Sequence, residues 1–375
     1  MNYSKNRTEQ AQIEGRFETE LEKTLLETST ATHCAAAATR LHGDGEESFS
    51  AWAGPTKTGD LFDLASITKT ITALTTHRYL RSQGLSLDVK LGSLLPVARQ
   101  RPIGAISLRT ILAHRSGLPA HLELSQSRNR FLFPTLAHLQ EMVASQPLQK
   151  DTELYSDLGY QLLGWALSHS SGWELDDLMQ EFLFAPLALE IGSARQWGTR
   201  SGKSRPNREE NSSFSFVPSE YRWQRGGLLR GRVHDDNAWV LSGFGSSGHA
   251  GLFGTLKGVR RWAQLLLQGA LDKGPLRESM AELLQKKRSA RFFAGFDSKS
   301  PQGSSAGESP STATFGHLGF TGTSFWCDPE KAQTSVLLTN RVFYGWNPAP
   351  IKKARRHVHD WAWKTLNEKK GRSAL

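Results

Sequence analysis

Strand-like sequence lies at the two ends of this chain and helical sequence lies between, and that division limits the fold more than any other feature. Residues 33–54 read as a hairpin. "HCAAAATRL" and "SFSAWAG" flank "HGDGEE", whose Asp44-Gly45 pair is a turn signal. Near the other end, "FGHLGF" (315–320), "TSFWC" (323–327) and "TSVLLTN" (334–340) are strand-like, the last two joined by the credible turn "DPEKAQ". Between them, "LRTILAHRSG" (108–117) and "GYQLLGWALSHSSG" (159–172) have helical periodicity and end in glycine. "GVRRWAQLLLQGAL" (258–271) reads as an amphipathic helix. "ARRHVHDWAWKTLN" near the C-terminus is helical, with Val358, Trp361 and Leu366 able to pack on a sheet. The pattern predicts an α+β fold: a sheet lobe of about 30–65 and 226–375, with a mainly helical region of about 66–225 inserted. Residues 1–29 read as a polar N-terminal extension.

The chain has 375 residues and a net charge of +10. Its basic clusters, "QKKRSAR" (285–291), "IKKARRH" (351–357) and "NEKKGR" (367–372), lack interleaved aromatics and match no nucleic-acid module, so they read as solvated surface and no nucleic-acid partner is expected. Cys34 and Cys327 cannot build a disulfide framework. The polar N-terminus lacks the apolar run of a signal peptide, nothing before Cys34 looks like a lipidation site, and no run of eighteen apolar residues exists. These features predict a cytoplasmic protein with no membrane span.

The helix predicted to start around Asp63–Ser66 and end at Gly84 carries the chemistry. Ser66 and Lys69 are i and i+3, on one side of the helix. A serine hydroxyl is a poor nucleophile until a neighbouring base takes its proton. A lysine can be that base if burial and positive potential lower its pKa. Lys69 is the one charged residue from Leu64 to Thr76, which predicts burial. Ser-x-x-Lys alone is a weak signal, and a capping serine with a solvated lysine would give the same spacing. Two further patterns join it: "ELYSDLGYQLLG", with Tyr155, Ser156 and Asp157, and "FGHLGFTGTSFW", with His317 and Gly319.

Together these motifs resemble the penicillin-recognising serine hydrolases: class C β-lactamases, DD-peptidases and their esterase relatives. "FDLASITKT" resembles the family's first motif, "YSD" its second and "HLG" its third. "LRTILAHRSGLP" (108–119), "VHDDNAWVLSGFGSSGHAGLFGT" (233–255) and "GFTGTSFWCDPEKAQTSVLLTNRV" (319–342) are similar to further family stretches. The resemblance covers roughly residues 30–365. It implies an antiparallel sheet flanked by helices, with the site in the cleft beside the helical region. It implies Ser66 as the acylated nucleophile, Lys69 and Tyr155 as its proton-transfer partners, and the backbone N–H groups of Ser66 and Phe320 as the oxyanion hole. Asp157, His317 and Gly319 would line the substrate site. No cofactor or metal is implied; the partner is a small-molecule substrate, and the oligomeric state is open.

Two departures bear on the substrate. Asp157 stands where the family usually has an amide; it would repel an anion, or pair with Lys69 and raise its pKa. His317 replaces the usual lysine and is only fractionally cationic at neutral pH. Both changes favour an esterase or amidase over an efficient β-lactamase. The alternatives are a penicillin-binding DD-peptidase or weak β-lactamase, a catalytically silent binding protein on the same fold, and a basic-surface binding module. "GFGSSG" (243–248) matches a dinucleotide fingerprint but lacks a following helix start, so it reads as a tight or flexible loop near the site. His234, Asp235 and Asp236 are a ligand-like cluster, read here as structural hydrogen-bonding groups. Loops 195–216 and 297–314 are expected to border the cleft, so that loss of 298–313 would alter substrate preference more than stability.

Overall fold

The computed structural model describes residues 2–43, 45–124, 135–150, 152–200, 214–285 and 291–373. Its main sheet has seven strands: β1 (Cys34–His42), β2 (Gly45–Ala53), β3 (Phe292–Phe293), β4 (Phe296–Ser298), β5 (Phe315–Leu318), β6 (Ser324–Asp328) and β7 (Gln333–Thr339). The order is β2-β1-β7-β6-β5-β4-β3, antiparallel throughout. The N-terminal hairpin therefore joins the C-terminal strands, with Ala37 opposite Val336. Asp44 of the hairpin turn lies outside the described residues.

The alanine run of β1 follows from burial on both faces. Successive side chains point to opposite sides of a strand. Ala35 and Ala37 join one core with Phe325, Val336 and Leu338, while Cys34, Ala36 and Ala38 join another with Phe49, Trp326 and Leu337. The first face is covered by a helix at Leu256–Ala270, whose Trp262 is fully buried. The second is covered by helices at Asn2–Leu21 and Ala349–Ser373. The polar N-terminal segment is thus folded onto the sheet: Ile13, Phe17, Leu21 and Leu25 recur every four residues and are buried, and Phe17 stacks on Trp361 at 4.6 Å. Val358 and Leu366 are buried in the same cluster. No helix among the described residues is long and apolar enough to cross a membrane.

Two helices of the inserted region place the candidate site: α1 (Thr68–Ser82), entered through a 3-10 turn at Ala65–Ile67, and α2 (Asp157–Ser171), ended by left-handed Gly172. They pack against each other. The helix expected over 108–117 is only one turn long, Leu108–Leu112, and His114 follows it at φ +56°.

Of the two expected loops, the first is described only at its ends. Ala194–Arg200 is helical, because the Ser193 hydroxyl accepts from the Gln196 N–H at its start and Trp197 is buried beneath it. Ser215–Phe216 pairs parallel with Asp60–Leu61. Residues 201–213 lie outside the described residues. The 297–314 segment is tied to the C-terminal helix and to the end of β6. Ala306 is buried, and its carbonyl accepts from Trp363 Nε1 at 2.8 Å. The Asp360 carboxylate accepts the Glu308 and Ser309 N–H groups, and Asp328 accepts the N–H and hydroxyl of Ser311. Deleting 298–313 would leave these groups unpartnered at about 1–3 kcal/mol for each buried one. The expected outcome of thermal denaturation is a melting temperature lower by about 5 °C or more. An unchanged melting temperature would restore the substrate-loop reading.

Of the basic clusters, Lys352 and Lys353 are exposed as expected, but Arg355 is buried and donates to the carbonyls of Gly319, Gly322 and Thr323. Residues 286–290, and the side chains from 369 onward, lie outside the described residues.

Candidate active site

Ser66 sits between two constraints. The Asp63 carboxylate, buried two residues ahead of Ala65, accepts the Ala65 N–H at 2.8 Å and the His234 N–H at 2.7 Å. Ala65 itself is held at φ +46°, a conformation that costs a non-glycine residue on the order of 1 kcal/mol. The turn after β5 is clasped to the same segment: the Thr321 hydroxyl donates to the Asp63 carbonyl at 2.6 Å, and Thr323 to the Leu64 carbonyl at 3.3 Å. Gly319 makes this approach possible, since a Cβ there would lie 2.1 Å from Thr323 Oγ1 and 2.7 Å from the Leu64 carbonyl oxygen. The clasp brings Phe320 beside the Ser66 turn. The Phe320 carbonyl accepts from Arg341 Nε at 2.7 Å.

Lys69 is completely buried. Its ammonium donates to Ser66 Oγ at 2.9 Å and to the His249 carbonyl at 3.2 Å, and it lies 2.7 Å from Asp157 Oδ1. Burial alone would lower its pKa, but the charge of Asp157, with Tyr155 beside it, outweighs burial and holds Lys69 above the ordinary lysine value. Asp157 opens α2. Burial would raise its carboxyl pKa, yet Lys69 and a hydrogen bond from His121 hold it well below the usual range. The pair is therefore ionised at neutral pH. The sequence left two consequences open for Asp157, and the geometry favours pairing with Lys69.

Tyr155 lies beside Lys69 and Ser66, both of which act to lower its pKa. Its ring lies 4.9 Å from Lys69 Nζ and packs against His114 at 4.5 Å, Phe292 at 5.3 Å and His317 at 6.1 Å. Burial and the Asp157 charge raise its pKa despite Lys69, so the resting group is a phenol. His114 accepts the Ser156 N–H on Nδ1, which fixes the chain between Tyr155 and Asp157 and leaves the ring proton on Nε2. Burial, reinforced by Lys69, pushes His114 down to about 3.

His317 is buried and lies 2.8 Å through Nδ1 from the Leu318 carbonyl. A carbonyl only accepts, so Nδ1 carries the proton and Nε2 is a bare acceptor. Burial, then Lys69, push His317 down to about 3, so it is neutral at physiological pH rather than fractionally cationic.

Several site groups escaped sequence reading. The His249 carbonyl belongs to the turned loop flagged through "GFGSSG", which lies against α1; Gly248 accepts from Thr72 Oγ1 at 2.7 Å. The His249 ring meets Asp235 at 3.0 Å, and Asp235 also caps the helix at Asp236–Ser242. His234 meets Glu220 at 2.7 Å, and Asp236 meets Arg222 and Arg225. The one visible signal for all three was the "VHDDNA" cluster.

The Beta-lactamase family model matches residues 19–359. The chain is 30% identical over 314 residues to a protein of Bacillus subtilis (strain 168) named N-acetylmuramyl-L-alanine amidase, covering 76% of this chain and 69% of that one. It is 28% identical over 314 residues to an Escherichia coli (strain K12) protein with the provisional name D-alanyl-D-alanine carboxypeptidase, covering 76% and 70%. Among solved structures, EstCE1, described as a hydrolase with promiscuous acyltransferase activity, superposes with TM-score 0.68 at 19% identity over 94% of this chain and 99% of that one. The D-amino acid amidase of Ochrobactrum anthropi SV3 gives TM-score 0.68 at 17% identity over 96% and 99%. With the family model spanning most of its length and the same α+β fold in both structural neighbours, the chain belongs to the Beta-lactamase family of serine hydrolases.

Proposed function

We propose that the protein forms an acyl-enzyme at Ser66 and acts as an esterase or amidase on a small substrate without an essential carboxylate. The observation that carries this reading is the buried Lys69 ammonium 2.9 Å from Ser66 Oγ, with the Tyr155 ring 4.9 Å from Lys69 Nζ. In the proposed step Ser66 Oγ bonds to the substrate carbonyl carbon. Its proton passes into the Lys69–Tyr155 pair and from there to the leaving nitrogen or oxygen as that bond breaks. Water then repeats the sequence to release the acid. The backbone N–H groups of Ser66 and Phe320 would hold the oxyanion, such donors being worth about 3 kcal/mol of barrier.

The reaction needs the pair to have lost one proton, because Lys69 and Tyr155 are both protonated at rest. Turnover therefore draws on a minor species and rises with pH. The substrate class is supported by neutral His317, which offers an acceptor where a cation would be needed to hold a carboxylate. An amide as the scissile bond is favoured by the names of the two sequence relatives, an amidase and a carboxypeptidase.

The test is intact mass after incubation with a fluorophosphonate and, separately, a penicillin, on wild type and Ser66→Ala. The expected result is a fluorophosphonate adduct that vanishes in Ser66→Ala, with no stable penicillin adduct. A stable penicillin adduct would move the reading to a penicillin-binding peptidase. Absence of any serine-dependent adduct would remove the acyl-enzyme claim.

A further inference from the structure

At the candidate oxyanion donor the protein exposes large aromatic side chains: Phe320 is 46% exposed and Trp346 50%. Exposed aromatics scattered singly need no explanation, but two exposed rings in contact beside a candidate active site do. This group is also rigid. The ring of Phe320 stacks on His234 at 5.6 Å and meets Trp346 edge-on at 5.6 Å. The Arg341 guanidinium sits 4.4 Å from the Phe320 ring, and Arg222 sits 5.4 Å from that of Trp346. Glu220 accepts from Trp346 Nε1 at 3.2 Å and pairs with His234, whose own N–H is held by Asp63. The shelf is thus anchored to the segment that places Ser66.

Its two cations are already engaged, Arg341 by the Phe320 and Asn347 carbonyls and Arg222 by Asp236 at 2.7 Å. Arg341 is buried and Arg222 is paired with Asp236, so a carboxylate or phosphate would gain little from either, whereas an apolar group would meet the exposed aromatic surface of Phe320 and Trp346. We infer that Phe320 and Trp346 form a specificity shelf that takes an uncharged aryl or branched alkyl portion of the substrate next to the scissile bond. The inference rests on the acyl-enzyme reading of Ser66.

The experiment compares kcat/KM for two matched ester series, ethyl against benzyl acetate and ethyl acetate against ethyl phenylacetate, in wild type, Trp346→Ala, Trp346→Phe and Trp173→Ala. Trp173, 50% exposed, follows the far end of α2 and serves as control. In Trp346→Ala the aryl-to-alkyl ratio is expected to fall about fivefold or more in at least one series. Trp346→Phe, which keeps a ring but loses the bond to Glu220, is expected to restore most of the ratio, and Trp173→Ala to leave it within about twofold. Ratios unchanged by Trp346→Ala while Ser66 still takes the fluorophosphonate would overturn the shelf alone. Ratios lost equally in Trp346→Phe would assign the effect to the Glu220 bond and also overturn it. Failure of Ser66 to label in wild type would overturn both this inference and the reading beneath it.

Discussion

Asp157→Asn is expected to accelerate acylation of Ser66 at neutral pH and to move the alkaline rise of its pH–rate profile to lower pH. Two opposed effects set the charge of Lys69. Burial, the larger single influence, disfavours the ammonium, and the Asp157 carboxylate 2.7 Å away, aided by Tyr155, reverses it. Asparagine keeps the size and hydrogen-bonding capacity but removes the charge, so burial is left to dominate and the lysine pKa falls. Each unit of fall raises the free-base fraction about tenfold at a pH below the pKa, and labelling should follow. Tyr155 moves the same way, because the Asp157 charge also raises its pKa. Asp157→Asn at pH 7 is therefore expected to label with a fluorophosphonate about tenfold or more faster than wild type, the two rates converging at high pH. A slower variant whose profile keeps the wild-type midpoint would show that Asp157 orients Lys69 rather than holding its proton, and the minor-species account would fall.

What could be read from the sequence, and what could not, follows from chain distance. Ser66 and Lys69 are one helical turn apart, so their proximity is a property of local geometry that any helix enforces. The burial of Lys69 was legible because no other charge lies between Leu64 and Thr76. The antiparallel joining of β1 to β7 brings together segments some 300 residues apart. The strand-like character of both ends suggested it, but the register did not follow. The protonation of Lys69 was undecidable, because it depends on whether Asp157 Oδ1 lies within an ion-pair distance across two helices. Lys69 also uses the carbonyl of His249, and a backbone carbonyl has no residue identity to recognise. The 297–314 segment misled for the complementary reason. Its serines and glycines resemble mobile linkers, while the groups that immobilise it, Asp328, Asp360 and Trp363, belong to other elements. Arg355 looked like part of a solvated cluster, yet one helix face turns it inward onto the carbonyls of the Gly319 turn, where burial lowers it to about 9 and leaves it charged at neutral pH.

Lys69→Met is expected to abolish labelling of Ser66 and to destabilise the fold, with the destabilisation shrinking in acid. Removing one partner of a buried ion pair leaves the other charge uncompensated, which typically costs about 3–5 kcal/mol. Here the lower end applies, since Asp157 keeps a contact with His121 and its side chain is 19% exposed. In the wild type the Asp157 carboxyl is held below its unfolded value. The pair therefore adds stability above the unfolded carboxyl pKa of about 4, and that contribution is lost as the pH falls through the folded value. In the variant the sign reverses. Without Lys69 the largest remaining influence on Asp157 is burial, which raises its folded pKa, so the penalty is full at high pH and fades as the carboxyl takes up a proton. Denaturant unfolding should show the gap between wild type and Lys69→Met widest near pH 7 and narrower near pH 4. Adding Asp157→Leu to Lys69→Met removes the orphaned charge and should recover most of the lost stability at pH 7 without restoring any labelling. A gap independent of pH would mean that the loss in Lys69→Met comes from packing around the methionine, and the ion-pair account of the site would be wrong. Recovery of labelling in the double variant would remove Lys69 from the proton path.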